Sequence, residues 1–203
     1  FKKSMKEVMG TEDHNILLSL MSIAMSESGC RTKDELEQIS QHKNSGNYKG
    51  GIMQVDGACR NKAPHCPTVD EQIKAGVTVF NNKLNSITNA NPKESDKLYL
   101  TFFAYNRGEG TAKKAIQYLN QGKSMDQSLD KACHDFYPNS KLGQGTTCGP
   151  GGNTNRCCEI GVNYPKGKQT HFKKGCESLG GTVGSTQASL AGVAPFTPTG
   201  SPN

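Results

Sequence analysis

Between Asp13 and Gly29 apolar residues recur at helical spacing, with Ile16, Leu17, Leu20, Ile23 and Ala24 on one face. Leu18, Met21 and Met25 widen that stripe until the segment is apolar almost all round, which predicts a helix buried in the middle of a domain. Asp13 stands at the N-cap position, and Gly29 is the stop. Thr68-Val69-Asp70-Glu71 is a capping box that opens a helix running to about Ser86. Ser124-Met125-Asp126-Gln127 is a second, opening a helix to about Tyr137. Leu98 to Tyr105 and Ala112 to Leu119 supply two more helices between them. No segment sustains period-two alternation, so at most a short ribbon is expected around Tyr48 to Val55.

Composition divides the chain after Pro138. Up to that point eighteen Lys and Arg nearly balance sixteen Asp and Glu; beyond it lie thirteen of the twenty-three glycines, with six basic residues against two acids. From Ser178 onward no residue is charged. The expected organisation is a helical domain over 1–138, a Cys- and Gly-rich basic extension over 139–184, and a flexible tail over 185–203. No apolar run approaches membrane-spanning length, so no membrane span is expected. The opening Phe1-Lys2-Lys3 lacks an apolar signal core, which suggests a mature or trimmed form.

Eight cysteines change the picture: Cys30, Cys59, Cys66, Cys133, Cys148, Cys157, Cys158 and Cys176. An even number in a basic chain without Trp points to disulfides and an oxidising, secreted or periplasmic compartment. A zinc site on Cys157, Cys158, His171 and Cys176 is the rival. Adjacent cysteines lack the gap that lets two sulfurs reach one tetrahedral metal easily, so no metal or other cofactor is expected. The short, Pro-flanked loop from Cys59 to Cys66 is the first choice for a pair, and the remaining connectivity is open.

Three short motifs carry candidate chemistry. Glu27 ends the most apolar helix, in Ser26-Glu27-Ser28-Gly29. A carboxyl in a semi-apolar cleft resists ionisation and can stay protonated near neutral pH, as a general acid for glycoside cleavage must. In Gly51-Ile52-Met53-Gln54-Val55-Asp56, glycine permits close approach, Met53 offers an apolar wall, Gln54 a donor and an acceptor, and Asp56 a second carboxylate. In Ala104-Tyr105-Asn106-Arg107-Gly108-Glu109-Gly110, a phenol and an amide precede a tight turn and could hold a sugar. Each motif also has a plain structural reading: an exposed helix end, a turn before a strand, a helix C-cap.

Taken in this order, the three motifs resemble those of the goose-type lysozymes and the related soluble lytic transglycosylases, over roughly Asn15 to Tyr137. The resemblance implies a mostly α, α+β lysozyme-like fold around a buried central helix. It also implies cleavage of the β-1,4 bond between N-acetylmuramic acid and N-acetylglucosamine in peptidoglycan glycan strands. Glu27 is then the general acid/base and Asp56 the residue that positions water, with Ser28, Gly51, Met53, Gln54, Tyr105, Asn106 and Glu109 on the substrate. Asp56 after Met-Gln-Val is closer to the lysozymes than to the transglycosylases.

Two departures bear on mechanism. Some goose-type enzymes carry a further Asp about nine residues before the Gln, and here no acid stands near Ser45. An inverting hydrolase needs a base across from the acid, at roughly 6.5–9.5 Å. Without one, the substrate's own hydroxyl can displace the leaving group and yield a 1,6-anhydro product. The second departure is Arg107-Gly108-Glu109, expected as a solvated ion pair of little energetic weight. Its functional alternative has Glu109, with Asp56, favouring a cationic, de-N-acetylated sugar.

Lys166, Lys168, Lys173 and Lys174 make the extension a candidate contact for anionic wall polymers. The scattered charge, without aromatic interleaving, argues against nucleic acid as a partner. The expected state is a monomer. The rival classes are a lysozyme-fold wall-binding protein without activity and a structural module of a phage tail or secretion machine.

Overall fold

A computed structural model describes residues 14–28, 51–55, 66, 68–137 and 157–167. This part is mostly helical and, among the described residues, holds no strand. Six α-helices follow in order within it: α1 (His14–Ser28), α2 (Val69–Asn89), α3 (Lys97–Arg107), α4 (Glu109–Asn120), α5 (Met125–Phe136) and α6 (157–167). Short 3₁₀ turns stand at Gly51–Met53 and Glu94–Asp96. No described helix is long and apolar enough to cross a membrane. The described residues fall into two compact units, one up to Asn82 together with Lys166 and Gly167, and one from Lys83 to Pro165, with one division inside α2.

In the first unit α1 is enclosed as its sequence predicts. Leu17, Leu18, Leu20, Ile23 and Ala24 are buried, and so are the small polar Ser19 and Ser22. Asp13 and Gly29, its expected cap and stop, lie outside the described residues. The Gly51–Met53 turn packs against α1. The expected ribbon gives way here to that turn, because Ile52 and Met53 are both wholly buried. Consecutive burial suits a turn folded into a core, whereas a half-buried strand would expose every second residue. Tyr48 to Gly50 lie outside the described residues.

The Thr68 capping box forms as expected. The Thr68 amide and hydroxyl both donate to Glu71 Oε2 (3.0 and 2.8 Å), and the Glu71 amide donates to Thr68 Oγ1 (3.2 Å). The helix runs three residues past Ser86, because its buried stripe Ile73, Val77, Phe80, Leu84, Ile87 ends only there. Asn91, in the left-handed region at φ 51°, and Pro92 then turn the chain.

The second unit is built on α3, α4, α5 and α6. Leu100, Phe103, Ala104, Ala112, Ala115, Ile116, Leu129, Ala132, Cys133 and Cys158 share one core. The Ser124–Gln127 capping box opens α5 with both reciprocal bonds present. Helix α6 belongs to the stretch read from sequence only as an extension. Cys158, on its first turn, forms a disulfide with Cys133 of α5, with Cα atoms 5.5 Å apart. Cys66 and Cys157 are also disulfide-bonded. Adjacent Cys157 and Cys158 are therefore both oxidised, which takes both out of the zinc reading. Cys30, Cys59, Cys148, Cys176 and His171 lie outside the described residues.

Arg107 ties these helices together. Its Nη1 donates to Cys157 Sγ at 3.0 Å. A Cβ built at Gly161 would sit 2.6 Å from Arg107 Nε, so the guanidinium lies directly on the α6 backbone. The residue is buried because it falls three and four positions after Ala104 and Phe103, on the inward face of α3. Burial pushes its pKa down from the ordinary value, and Tyr137 acts in the opposite sense. Gly161→Ala is expected to destabilise the protein by about 1–3 kcal/mol, because the buried side chain it meets has no free volume to enter. At Gly167 an added Cβ would meet nothing within 4 Å, so Gly167→Ala should be neutral or stabilising by up to about 1 kcal/mol. Urea unfolding of the two variants checks this: equal effects would mean that Arg107 is not packed on Gly161.

Candidate active site

The sequence-predicted site residues fall in both units. In the first, Glu27 stands on the last turn of α1 and is half-buried after a run of buried apolar residues. The turn at Gly51–Met53 is anchored to α2 by one buried amide. Ile52 N–H donates to Gln72 Oε1 (2.9 Å), and Gln72 Nε2 donates to the Cys66 carbonyl (3.0 Å). A neutral amide suits this post, because it satisfies a donor and an acceptor from two loops without burying a charge. Met53 is wholly buried and seated on the α2 backbone at Gly76, where a Cβ would collide with its sulfur. Met53 therefore shapes the turn from inside, as core filling, and not as a wall open to a ligand.

Gln54 is the unusual residue. It is half-buried and adopts φ 53°, the left-handed region. A side chain there costs on the order of 1 kcal/mol relative to glycine. Gly50 and Gly51 stand at the start of the turn in sequence, yet the left-handed position itself carries a long amide. Strain retained where glycine would relieve it points to a use for the side chain. Val55 follows, buried again. Asp56 and the side chain of Ser28 lie outside the described residues.

In the second unit Tyr105 and Asn106 occupy the last turn of α3, both half-buried. Gly108, at φ 86° and ψ 159°, is the only residue between α3 and α4. Its conformation reverses the chain: the Gly108 amide closes α3 on Ala104 O (2.8 Å), and its carbonyl opens α4 by accepting from Ala112 (3.3 Å). The Arg107 carbonyl accepts from Thr111 Oγ1 (3.0 Å) and from the Tyr137 hydroxyl (3.4 Å). Asn106 Oδ1 is buried and makes no hydrogen bond among the described residues. Such an acceptor costs roughly 1–3 kcal/mol until something donates to it.

The expected Arg107–Glu109 ion pair is replaced by a different arrangement. Arg107 turns inward, while Glu109, on the first turn of α4, pairs with Lys83 Nζ at 3.0 Å. The hydrogen bond from Lys83 holds the Glu109 carboxyl below its ordinary range, helped by Ser86 and opposed by partial burial. At the far end of α4, Tyr118 donates to Asp135, which lies between it and Lys131. That hydrogen bond likewise lowers the Asp135 pKa.

Several supporting residues escape the motif reading. Gln72 and Gly76 hold the Gly51–Met53 turn, and Arg107 with Gly161 holds the α3–α4 junction. The first two leave a legible mark: a polar side chain and a glycine four apart on an otherwise apolar helical stripe. No protein-family model, curated protein or solved structure matches this chain.

Two outcomes test this geometry. Gln54→Gly should leave stability unchanged or raised by up to about 1 kcal/mol, while impairing the function of the site. Thermal unfolding paired with a glycan-cleavage assay reads both, and a variant that is less stable but fully active would make Gln54 a structural residue. The second concerns acid. A lowered carboxyl pKa contributes stability that is fully present above the unfolded value of about 4 and is lost as pH falls through the folded value. Glu109→Gln should therefore cost less than about 1 kcal/mol near pH 6, the half-exposed pair being screened by solvent. The gap from wild type should close as the pH falls towards 2. Denaturation curves across that range would contradict the pairing if the gap stayed constant.

Proposed function

We propose that this protein is a peptidoglycan-cleaving glycosidase of the goose-type lysozyme kind. It hydrolyses the β-1,4 bond between N-acetylmuramic acid and N-acetylglucosamine, with Glu27 as general acid. The observation that carries the reading is the strained Gln54, directly after a turn packed against the helix whose last turn carries Glu27. A half-buried carboxyl is suited to donating a proton to a leaving sugar oxygen, and a fixed amide is suited to holding the sugar. The three motifs supply the substrate class by resemblance. The disulfide supports an oxidising compartment, as a wall enzyme outside the cytoplasm needs.

In the proposed reaction the glycosidic oxygen takes its proton from Glu27 as its bond to the anomeric carbon breaks. Water attacks that carbon from the opposite face and gives up a proton to Asp56. Gly51 and Gln54 contact the sugar from one motif, with Ser28 beside Glu27, and Met53 keeps the turn in place from within. The resemblance assigns Tyr105 and Asn106 to the sugar as well, and the buried Asn106 Oδ1 is an acceptor suited to an N-acetyl amide or a hydroxyl. Glu109 already answers Lys83, so the proposed substrate is the ordinary N-acetylated polymer. Lys166 at the end of α6, with Lys168, Lys173 and Lys174 beyond it, serves to hold the enzyme on anionic wall polymers.

Digestion of purified peptidoglycan with wild-type and Glu27→Gln protein tests the proposal. The wild type should release reducing ends, and the variant should lose at least about a hundredfold in rate, the scale of general acid catalysis. Products ending only in 1,6-anhydro sugars would make the enzyme a lytic transglycosylase. Equal release by both proteins would remove Glu27 from the mechanism.

A further inference from the structure

A cavity of about 180 Å³ lies between the entry to α3 and the exit from α4, and none of its lining residues belongs to the three motifs. Pro92, Lys93 and Asp96 line it from the first element, and Ile116, Leu119 and Lys123 from the second. Pro92 and Ile116 are buried and Leu119 is half-buried, so part of the lining is apolar. Local backbone bonds hold both approaches. The Asp96 amide donates to the Lys93 carbonyl (2.9 Å), and the Lys123 amide donates to the Tyr118 carbonyl (3.2 Å). Two left-handed residues, Asn91 at φ 51° and Gly122 at φ 86°, turn the chain shortly before Lys93 and Lys123. The charges along this lining do not answer one another. Glu94 pairs with Lys97, whereas neither Lys93 nor Lys123 forms an ion pair among the described residues. Asp96 stands at the N-cap of α3 yet makes no capping hydrogen bond, and its Oδ1 accepts from the Ser95 hydroxyl (3.2 Å). An Asp at that position ordinarily caps the helix, so this half-buried carboxylate is left for another use.

Two cations, one anion and an apolar wall around so small a volume select their ligand by elimination. A cationic ligand would meet two ammonium groups. A purely apolar one would strip water from three charges without replacing its hydrogen bonds, which is costly. An inorganic anion would leave Ile116 and Leu119 without a partner. The volume is that of about six waters, below the roughly 300 Å³ at which small-molecule sites begin, so it takes the end of a larger molecule. The last residue of a peptide meets every condition. Its carboxylate suits Lys93 and Lys123, a small side chain suits Ile116 and Leu119, and its amide N–H suits Asp96. We infer that this cavity binds the free carboxyl end of a short peptide whose last side chain is small and apolar. The site goes beyond the glycosidase reading and does not rest on it. Peptides borne by wall glycan strands are one source of such ends, and protein tails are the other.

The test is calorimetric titration of the full chain with N-acetyl-Ala-Ala, in its L,L and D,D forms. The free acid should bind, and its carboxyl-terminal amide should bind at least about tenfold more weakly, having lost the charge. N-acetyl-Gly-Gly, without the methyl groups, should bind about threefold to fivefold more weakly. Lys93→Gln and Lys123→Gln should each weaken binding by a similar factor. Both lysines are exposed, so thermal unfolding of these variants should match wild type. A D,D preference upholds the site with wall peptide as its source, and an L,L preference upholds it with a protein tail. Equal binding of acid and amide overturns the site, as does acetate or phosphate binding as tightly as the dipeptide. Affinity unmoved in the double lysine variant overturns it too, and so does failure of both forms to bind at millimolar concentration. Wall cleavage by the wild type reports separately on the glycosidase reading, since the two share no residue.

Discussion

The buried guanidinium of Arg107 is the constraint around which the second unit is arranged. A charge taken out of water must be met by polar or polarisable groups, and few geometries provide them. Here a disulfide sulfur and the bare backbone at a helical glycine meet it. The requirement fixes α6 against α3, and the Cys133–Cys158 bridge fixes α6 to α5. Between these attachments the α3–α4 junction has little freedom, although only one residue separates its helices. The half-buried Tyr105 and Asn106, on the last turn of α3, take their positions from these attachments.

The first unit solves the equivalent problem without a charge. Gln72 ties two loops to α2 by one donor and one acceptor, and Met53 fills the space left by Gly76. The turn that results presents Gln54 in a conformation glycine would adopt more cheaply. Both units therefore place their candidate residues by the same logic: a small residue on a helix lets a neighbouring side chain settle on the backbone, and the chain segment carrying that side chain is held with it.

Much of the helical content was legible in the chain. Periodicity and capping boxes located α1, α2 and α5 closely, because burial of an apolar stripe and local reciprocal hydrogen bonds are determined over a few residues. The missing elements depend on distant partners. Helix α6 looks like part of a Gly-rich extension until Cys158 is joined to Cys133, 25 positions earlier. Arg107 looks solvated next to Glu109 in sequence, yet α3 carries it inward while α4 turns Glu109 to Lys83. Met53 can be read either as a ligand wall or as core filling until Gly76 is seen beneath it. Helix faces can be read locally; what a residue at a helix end touches cannot.

The adjacent cysteines at the start of α6 add a consequence for how this protein matures. Neighbouring residues on a helix point about 100° apart. If the sulfur reaching Cys133 came from Cys157 in place of Cys158, α6 would have to roll by that angle to close the bridge. Gly161 would swing away from Arg107 and a bulkier position would take its place. The mispaired chain would keep its helices and its number of disulfides, yet lack the seat that steadies Tyr105 and Asn106. Correct oxidation at one of two neighbouring positions thus acts as a checkpoint on assembly of the junction, and total disulfide content would not reveal whether it had been passed.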